Sequence, residues 1–179
     1  MDNGRIILSQ PQFDLVIERL CHQLIETYDD FTDTCFVSIQ PRGTPLADRL
    51  YQRLMELGVP KFPYGKLDIT FYRDDFRRGK PLSASTTHMN FLIENQKVIL
   101  IDDVLYTGRS VQSALTALNH YGRPALVELV TLVDRRFNRH LPVQPDFIGI
   151  SIDALEEEYV KVAWGEIGND EIILYPKKI

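Results

Sequence analysis

Two adjacent carboxylates, Asp102 and Asp103, follow four apolar residues, Val98-Ile99-Leu100-Ile101. They precede a short loop, Val104-Leu105-Tyr106-Thr107-Gly108-Arg109-Ser110, that opens an apolar-periodic helix. The β-branched run reads as a strand buried on both faces, as in a parallel sheet. The loop puts Thr107, Gly108 and Ser110 at a helix N-terminus, where unpaired backbone N–H groups and the helix dipole attract an anion. Taken alone, the two acids read as metal ligands, as hydroxyl acceptors or as a charged strand end. Beside an anion cradle they form a conflict that a suitable ligand must resolve.

The elements that must position this loop follow from the periodicity. Ser9 reads as an N-cap with Pro11 in the first turn, and Phe13, Val16, Ile17, Leu20, Cys21, Leu24 and Tyr28 recur at helical spacing. Thr34–Ile39 is a short buried strand ending in Gln40-Pro41-Arg42-Gly43-Thr44. A helix follows from Pro45, with Leu46, Ala47, Leu50, Leu54 and Leu57 inward and Gly58 as its stop. Lys66–Tyr72 alternates as a strand and runs into a charged stretch, Arg73 to Lys80, with four cations in eight residues. Residues 73–87 read as an arm that closes over an anionic ligand.

After the opening strand, a helix is expected from Ser110 to about Tyr121, with Val111, Ala114, Leu115 and Leu118 inward. Ala125–Val133 is a further buried strand ending in Asp134-Arg135-Arg136. A short strand at Phe147-Ile148-Gly149 follows, then an antiparallel hairpin at Tyr159–Ala163 and Glu171–Tyr175. Alternating strands and helices argue a single α/β domain over residues 1–179 with ligands at the C-terminal strand ends. Three polar loops fall there: 40–44, 102–110 and 134–140.

The chain has 179 residues, 44% hydrophobic and 25% charged, with a net charge of −5. That suits one core and is a poor prior for a protein held to nucleic acid by phosphate contacts. Cys21 and Cys35 sit in apolar contexts and read as small buried hydrophobes. The N-terminus has no basic-then-apolar signal and the chain no long apolar run, so the expectation is a soluble, cytoplasmic protein without a membrane partner.

No GxxxxGK[ST] run and no GxGxxG turn is present, which argues against a P-loop or dinucleotide site. A phosphorylated sugar resolves the conflict in the opening loop. Vicinal hydroxyls donate to the carboxylates, and the loop amides with the Thr107 and Ser110 hydroxyls hold a phosphate at the far end.

VILIDDVLYTGRSV resembles the phosphoribosyl pyrophosphate (PRPP) binding motif of type I phosphoribosyltransferases. Gln40-Pro41-Arg42-Gly43 resembles the pyrophosphate loop of that family. LDITFYRDDF (Leu67–Phe76), LVDRR (Leu132–Arg136) and DDVLYTGR resemble one subfamily, the PyrR-type pyrimidine operon attenuation regulators with uracil phosphoribosyltransferase activity.

The resemblance implies a type I phosphoribosyltransferase fold: a central, mainly parallel sheet flanked by helices, with a small hood (about 134–150 with the C-terminal strands) and a C-terminal antiparallel hairpin. It implies the reaction of uracil with PRPP to give UMP and pyrophosphate. Asp102 and Asp103 would hold the ribose hydroxyls, and Val104 to Ser110 would line the 5′-phosphate loop. Arg42 and Gly43 would meet pyrophosphate, joined by Arg73, Arg77 and Arg78 from the arm. Val133, Asp134 and Arg135 would begin the hood over the base. Mg²⁺ would be held mainly by substrate oxygens and water, with Asp102 and Asp103 touching it through water. A homodimer or homotetramer is implied as well.

Relatives that regulate transcription bind messenger RNA through a basic concave surface. Here the first helix offers a mixed set (Glu18, Arg19, His22, Thr27), and Leu141–Ile150 carries no Lys or Arg. Arg135, Arg136, Arg139 and His140 form the one small basic cluster left for that role. Catalysis is therefore expected ahead of RNA-binding regulation. A purine enzyme would carry a base-reading Lys at or after the strand that ends here in Leu132-Val133-Asp134-Arg135, and none is present.

Overall fold

The computed structural model describes residues 4–73, 85–165 and 169–176. Arg77 and Arg78, and most of the expected arm, lie outside the described residues. Five parallel strands form the central sheet in the order β3-β2-β4-β5-β6. They are β2 (Thr34–Ile39), β3 (Tyr64–Leu67), β4 (Lys97–Leu105), β5 (Leu126–Arg136) and β6 (Phe147–Asp153). A second, antiparallel sheet is made by β1 (Arg5–Leu8), β8 (Glu171–Tyr175) and β7 (Tyr159–Ala163), in that spatial order. The Ile6-Ile7-Leu8 lead-in thus docks on the C-terminal hairpin.

Helix α1 (Gln10–Tyr28) starts in a capping box between Ser9 and Gln12, and its buried residues are the seven apolar positions read from the spacing. Helix α2 spans Gly43–Glu56 and α3 spans Arg109–Leu118. The sheet separates two cores. On one side α1, α2 and the second sheet cover Phe36, Ile99, Ile101, Val130 and Leu132. On the other, α3 covers Cys35, Val37, Val98, Leu100 and Leu129. Both cysteines are fully buried, and burial pushes each thiol up to about 12, so neither is a nucleophile. An ion pair pins the second sheet to α2: Arg49 Nε and Nη2 each donate at 2.6 Å to Asp170, which is 2% exposed.

Several boundaries differ from the sequence reading. The strand expected over Lys66–Tyr72 lies earlier, because the Asp68 carboxylate accepts from the Thr70 amide (3.0 Å) and hydroxyl (2.6 Å). That local turn competes with the ladder and bends the chain into a 3-10 turn at Thr70–Tyr72. The third helix stops at Leu118 rather than Tyr121, and Leu115 is exposed instead of inward; Val111, Ala114, Ala117 and Leu118 form the buried stripe. β4 continues through both carboxylates to Leu105, and β5 continues to Arg136. The expected hood, 134–150 with the C-terminal strands, is divided between the two sheets. Residues 134–136 and 147–150 pair within the central sheet, and the covering sheet is β1-β8-β7.

Candidate active site

Strand order reverses between β2 and β4: β3 lies beyond β2, while β5 and β6 follow on the other side of β4. Ligands of open α/β sheets bind at the carboxyl ends of the strands at such a switch point. The two motif loops leave β2 and β4 there. Their contact is backbone to backbone. A Cβ on Gly43 would lie 2.3 Å from the Ile101 carbonyl oxygen, so only glycine allows this approach. The Gln40–Pro41 peptide that leads into this loop is cis.

Asp102 and Asp103 are both buried, each 7% exposed. They are strand residues with local acceptor roles: the Asp103 amide donates to Asp102 Oδ1 (3.0 Å) and the Val104 amide to Asp103 Oδ1 (2.8 Å). Burial, reinforced by the neighbouring Asp103 charge, pushes the Asp102 carboxyl well above the usual range. Burial likewise raises Asp103, and the nearby Arg42 guanidinium restrains that rise. Arg42 and Arg73 both favour the charged form of Asp102. The acids and these cations therefore share one electrostatic field, although Arg42 and Arg73 are themselves exposed.

Beside Asp103 lies a cleft of about 150 Å³, with Arg42 and Val104 on one wall and Tyr159, Val160, Lys161 and Trp164 of the β7 strand and its end on the other. The sequence reading missed this wall. It treated Tyr159–Ala163 only as hairpin, and the alternating pattern carries no mark of what the strand faces.

The loop expected to hold a 5′-phosphate is shorter than the Val104–Ser110 stretch. Val104 and Leu105 belong to β4, Leu105 is core at 1% exposure, and Arg109 and Ser110 open α3, so the loop between strand and helix is Tyr106 to Gly108. Gly108 caps α3 with φ of 88°, the left-handed region that favours glycine. The segment after β5 is tied to this loop. Arg139 Nη1 donates to the Tyr106 carbonyl (2.5 Å), and the His140 and Leu141 amides donate to the Thr107 carbonyl (3.0 and 3.3 Å).

The three hood residues have separate fates. Val133 is fully buried in the core. Asp134 is buried and pairs with Arg139 at 2.5 Å. Arg135, 4% exposed, lies 3.9 Å over the Tyr106 ring and donates from Nη2 to the Leu155 carbonyl at 2.6 Å. Two buried donors, Arg135 Nε and Trp164 Nε1, meet no acceptor among the described residues.

The root of the arm is organised by Asp68, which sequence reasoning passed over. Besides Thr70, its carboxylate accepts from the Ser85 amide (3.0 Å), so one side chain joins the two ends of the 70–85 segment. Ser113 of α3 donates to the Tyr72 carbonyl (3.1 Å), and Gln40 Nε2 donates to the Thr86 carbonyl (2.9 Å). Arg73 thus leaves a root bound to the 40–44 loop and to α3.

The phosphoribosyl transferase domain family matches residues 4–166. The chain is 41% identical over 169 residues to a bifunctional protein PyrR of Picosynechococcus sp., covering 94% of this chain and 95% of that one. It is 38% identical over 174 residues to a bifunctional protein PyrR of Brevibacillus brevis, covering 97% of each. The chain belongs to the PyrR family of phosphoribosyltransferases. The fold agrees with solved phosphoribosyltransferases of other specificity. A hypoxanthine phosphoribosyltransferase of Trypanosoma cruzi aligns at TM-score 0.72 with 14% identity, covering 97% of both chains. One from Staphylococcus aureus aligns at 0.71 with 19% identity, covering 97% of this chain and 92% of that one. A PyrR-family chain therefore shares its architecture with hypoxanthine phosphoribosyltransferases, so the architecture does not by itself fix the base.

Proposed function

We propose that this PyrR-family protein transfers the phosphoribosyl group of PRPP to uracil, giving UMP and pyrophosphate. The observation that carries the reading is the convergence at one switch point of a buried acid pair, an oriented amide loop and an arginine-bearing glycine loop. Asp102 and Asp103 accept hydrogen bonds from the ribose hydroxyls, Tyr106 to Ser110 cradle the 5′-phosphate, and Arg42, Gly43 and Arg73 face the pyrophosphate. The base then lies towards the β7 wall. The uracil carbonyls are acceptors, which suits the unpaired Trp164 Nε1 donor on that wall.

The chemistry needs no protein nucleophile. Cleavage of the anomeric bond develops positive charge on the ribose and negative charge on the leaving pyrophosphate. The acid pair favours the first and the arginines the second. The donor set suits Mg²⁺: the acid pair offers hard oxygen ligands, and among the described residues no cluster of three His, Cys, Asp or Glu forms a full cage. Asp102 and Asp103 would meet Mg²⁺ through water, and the ion, when bound with PRPP, would neutralise charge on the leaving group.

The test is turnover with PRPP, Mg²⁺ and each of uracil, hypoxanthine, guanine and orotate. UMP formation from uracil alone supports the proposal; nucleotide from another base and none from uracil overturns it. Arg73→Ala is expected to raise KM for PRPP by about tenfold with little change in kcat, since a charge-assisted contact contributes roughly 1.5–3 kcal/mol. An unchanged KM removes Arg73 from the pyrophosphate site.

The relatives' designation as bifunctional keeps a second reading open, a UMP-responsive RNA-binding attenuation regulator. The side-chain contacts favour catalysis over it. Arg19 is bound to the Ile148 and Gly149 carbonyls, Arg135 and Arg139 are engaged as described, and Arg136 pairs with Asp153 at 2.7 and 2.8 Å. Tight, salt-steep binding of the pyrimidine leader RNA, strengthened by UMP, would reverse this ranking. A cytoplasmic homodimer or homotetramer completes the proposal. Among the described residues no helix is long and apolar enough to cross a membrane.

A further inference from the structure

Arg139 was the centre of the basic cluster in the sequence, yet its guanidinium is spent inside the protein. Nη2 meets Asp134 at the end of β5, and Nη1 meets the carbonyl of Tyr106 in the loop after β4, both at 2.5 Å. The adjoining His140 and Leu141 amides take the next carbonyl, that of Thr107. Two consecutive loop carbonyls are thus turned towards residues 139–141.

The peptide geometry makes this consequential. In a trans peptide the C=O of one residue and the N–H of the next point in opposite directions. Among the described residues the sole cis bond is Gln40–Pro41, so both loop peptides are trans. Fixing the Tyr106 and Thr107 carbonyls on the 139–141 side therefore turns the Thr107 and Gly108 N–H groups to the opposite side of the loop. These amides are the ones a 5′-phosphate would accept from, and they adjoin the start of α3.

We infer that Arg139, held by Asp134, is a positioning residue that orients the backbone amides of the 5′-phosphate loop. The inference rests on the phosphoribosyl reading of that loop and extends it to a side chain remote from the motif. It also assigns Asp134 a task at the phosphate end of the ligand, not at the base.

The probes are ribose 5-phosphate and pyrophosphate, titrated calorimetrically into the wild type, Arg139→Met and Arg139→Lys. Methionine keeps the apolar stem and removes the donors. Lysine keeps the charge but is a point donor that does not bridge Tyr106 and Asp134 as the guanidinium fork does. Both variants are expected to lose about tenfold in ribose 5-phosphate affinity while pyrophosphate affinity is unchanged, and to raise KM for PRPP more than they lower kcat. Asp134→Ala should weaken ribose 5-phosphate similarly, and adding it to Arg139→Met should cost little more, as expected for one coupled unit. Wild-type affinity for ribose 5-phosphate in either folded variant overturns the inference and leaves the phosphoribosyl reading intact. Equal loss for both probes marks a general structural defect and overturns it too. A wild type that binds neither probe overturns the phosphoribosyl reading itself and the inference with it.

Discussion

Asp102→Asn and Asp103→Asn are each expected to lower kcat/KM by about 10- to 100-fold, the size of one lost charge-assisted hydrogen bond to a ribose hydroxyl. The same Asp102→Asn variant is expected to melt at a higher temperature than the wild type in the ligand-free state at pH 8. Its carboxylate is buried against a second acid, and burial holds its folded-state pKa well above the usual range. A carboxyl whose pKa is raised on folding binds its proton more tightly in the native state. Its contribution to stability is present below the unfolded value, about 3.9, and is lost as pH rises through the raised folded value. At pH 8 the wild type has therefore lost more of that contribution than at pH 5.

Asparagine removes that charge while its side-chain oxygen still accepts from the Asp103 amide. The gain in melting temperature should shrink as pH is lowered towards 4. Calorimetric scans at pH 5 and pH 8, beside steady-state kinetics, check both halves. Unchanged turnover in both variants would sink the ribose-binding role, and a lower melting temperature at pH 8 would sink the electrostatic account. Opposed effects on activity and stability are expected where a site stores unfavourable charge for a ligand to neutralise.

Gly43→Ala is expected to be the second severe change. Its Cβ would sit 2.3 Å from the Ile101 carbonyl oxygen and 3.0 Å from the Asp102 Cα, and both obstacles are backbone of a central strand. The loop must move, because β4 is paired on both sides with β2 and β5. Overpacking of this kind costs about 1–3 kcal/mol. The displacement also carries Arg42 away from the acid pair that it restrains electrostatically. Urea unfolding should show a lower midpoint with an unchanged slope, and KM for PRPP should rise more than tenfold, the equivalent of about 1.4 kcal/mol. A folded Gly43→Ala protein with wild-type KM would show that the close approach has no functional weight.

Much of the site was legible because its signals are local. The run Val98–Ile101 into Asp102 and Asp103 marks a buried strand by composition alone, and Thr107, Gly108 and Ser110 mark a helix start by backbone chemistry. The helical stripe from Phe13 to Tyr28 was readable for the same reason, since neighbours three and four apart share a face. The errors also have local causes. The Lys66–Tyr72 strand fails because the Asp68 carboxylate captures Thr70, a competition that alternation does not reveal. Leu115 was counted inward because four-residue spacing from Val111 admits it, yet the sheet covers only the stripe through Val111, Ala114 and Leu118.

The sequence by itself determined the loop chemistry, the alternation of strands and helices, and the pairing of an acid strand with an anion-binding helix start. Each of these is set by residues within one helical turn or one strand of each other. The tertiary structure alone decided what lies across from the acids and what holds their loop. The β7 wall at Tyr159–Trp164 reaches Asp103 from more than fifty residues downstream. Arg139 reaches the Tyr106 carbonyl across 33 residues, and Arg49 reaches Asp170 across 121. Burial of Asp102 and Asp103 depends on strands to either side, so the rise in their pKa values is a property of the assembled sheet. The opening acid pair, which the residues alone left as metal ligands, hydroxyl acceptors or a charged strand end, is in the fold a buried pair whose unmet acceptor oxygens the proposed sugar hydroxyls and metal-bearing substrate would engage.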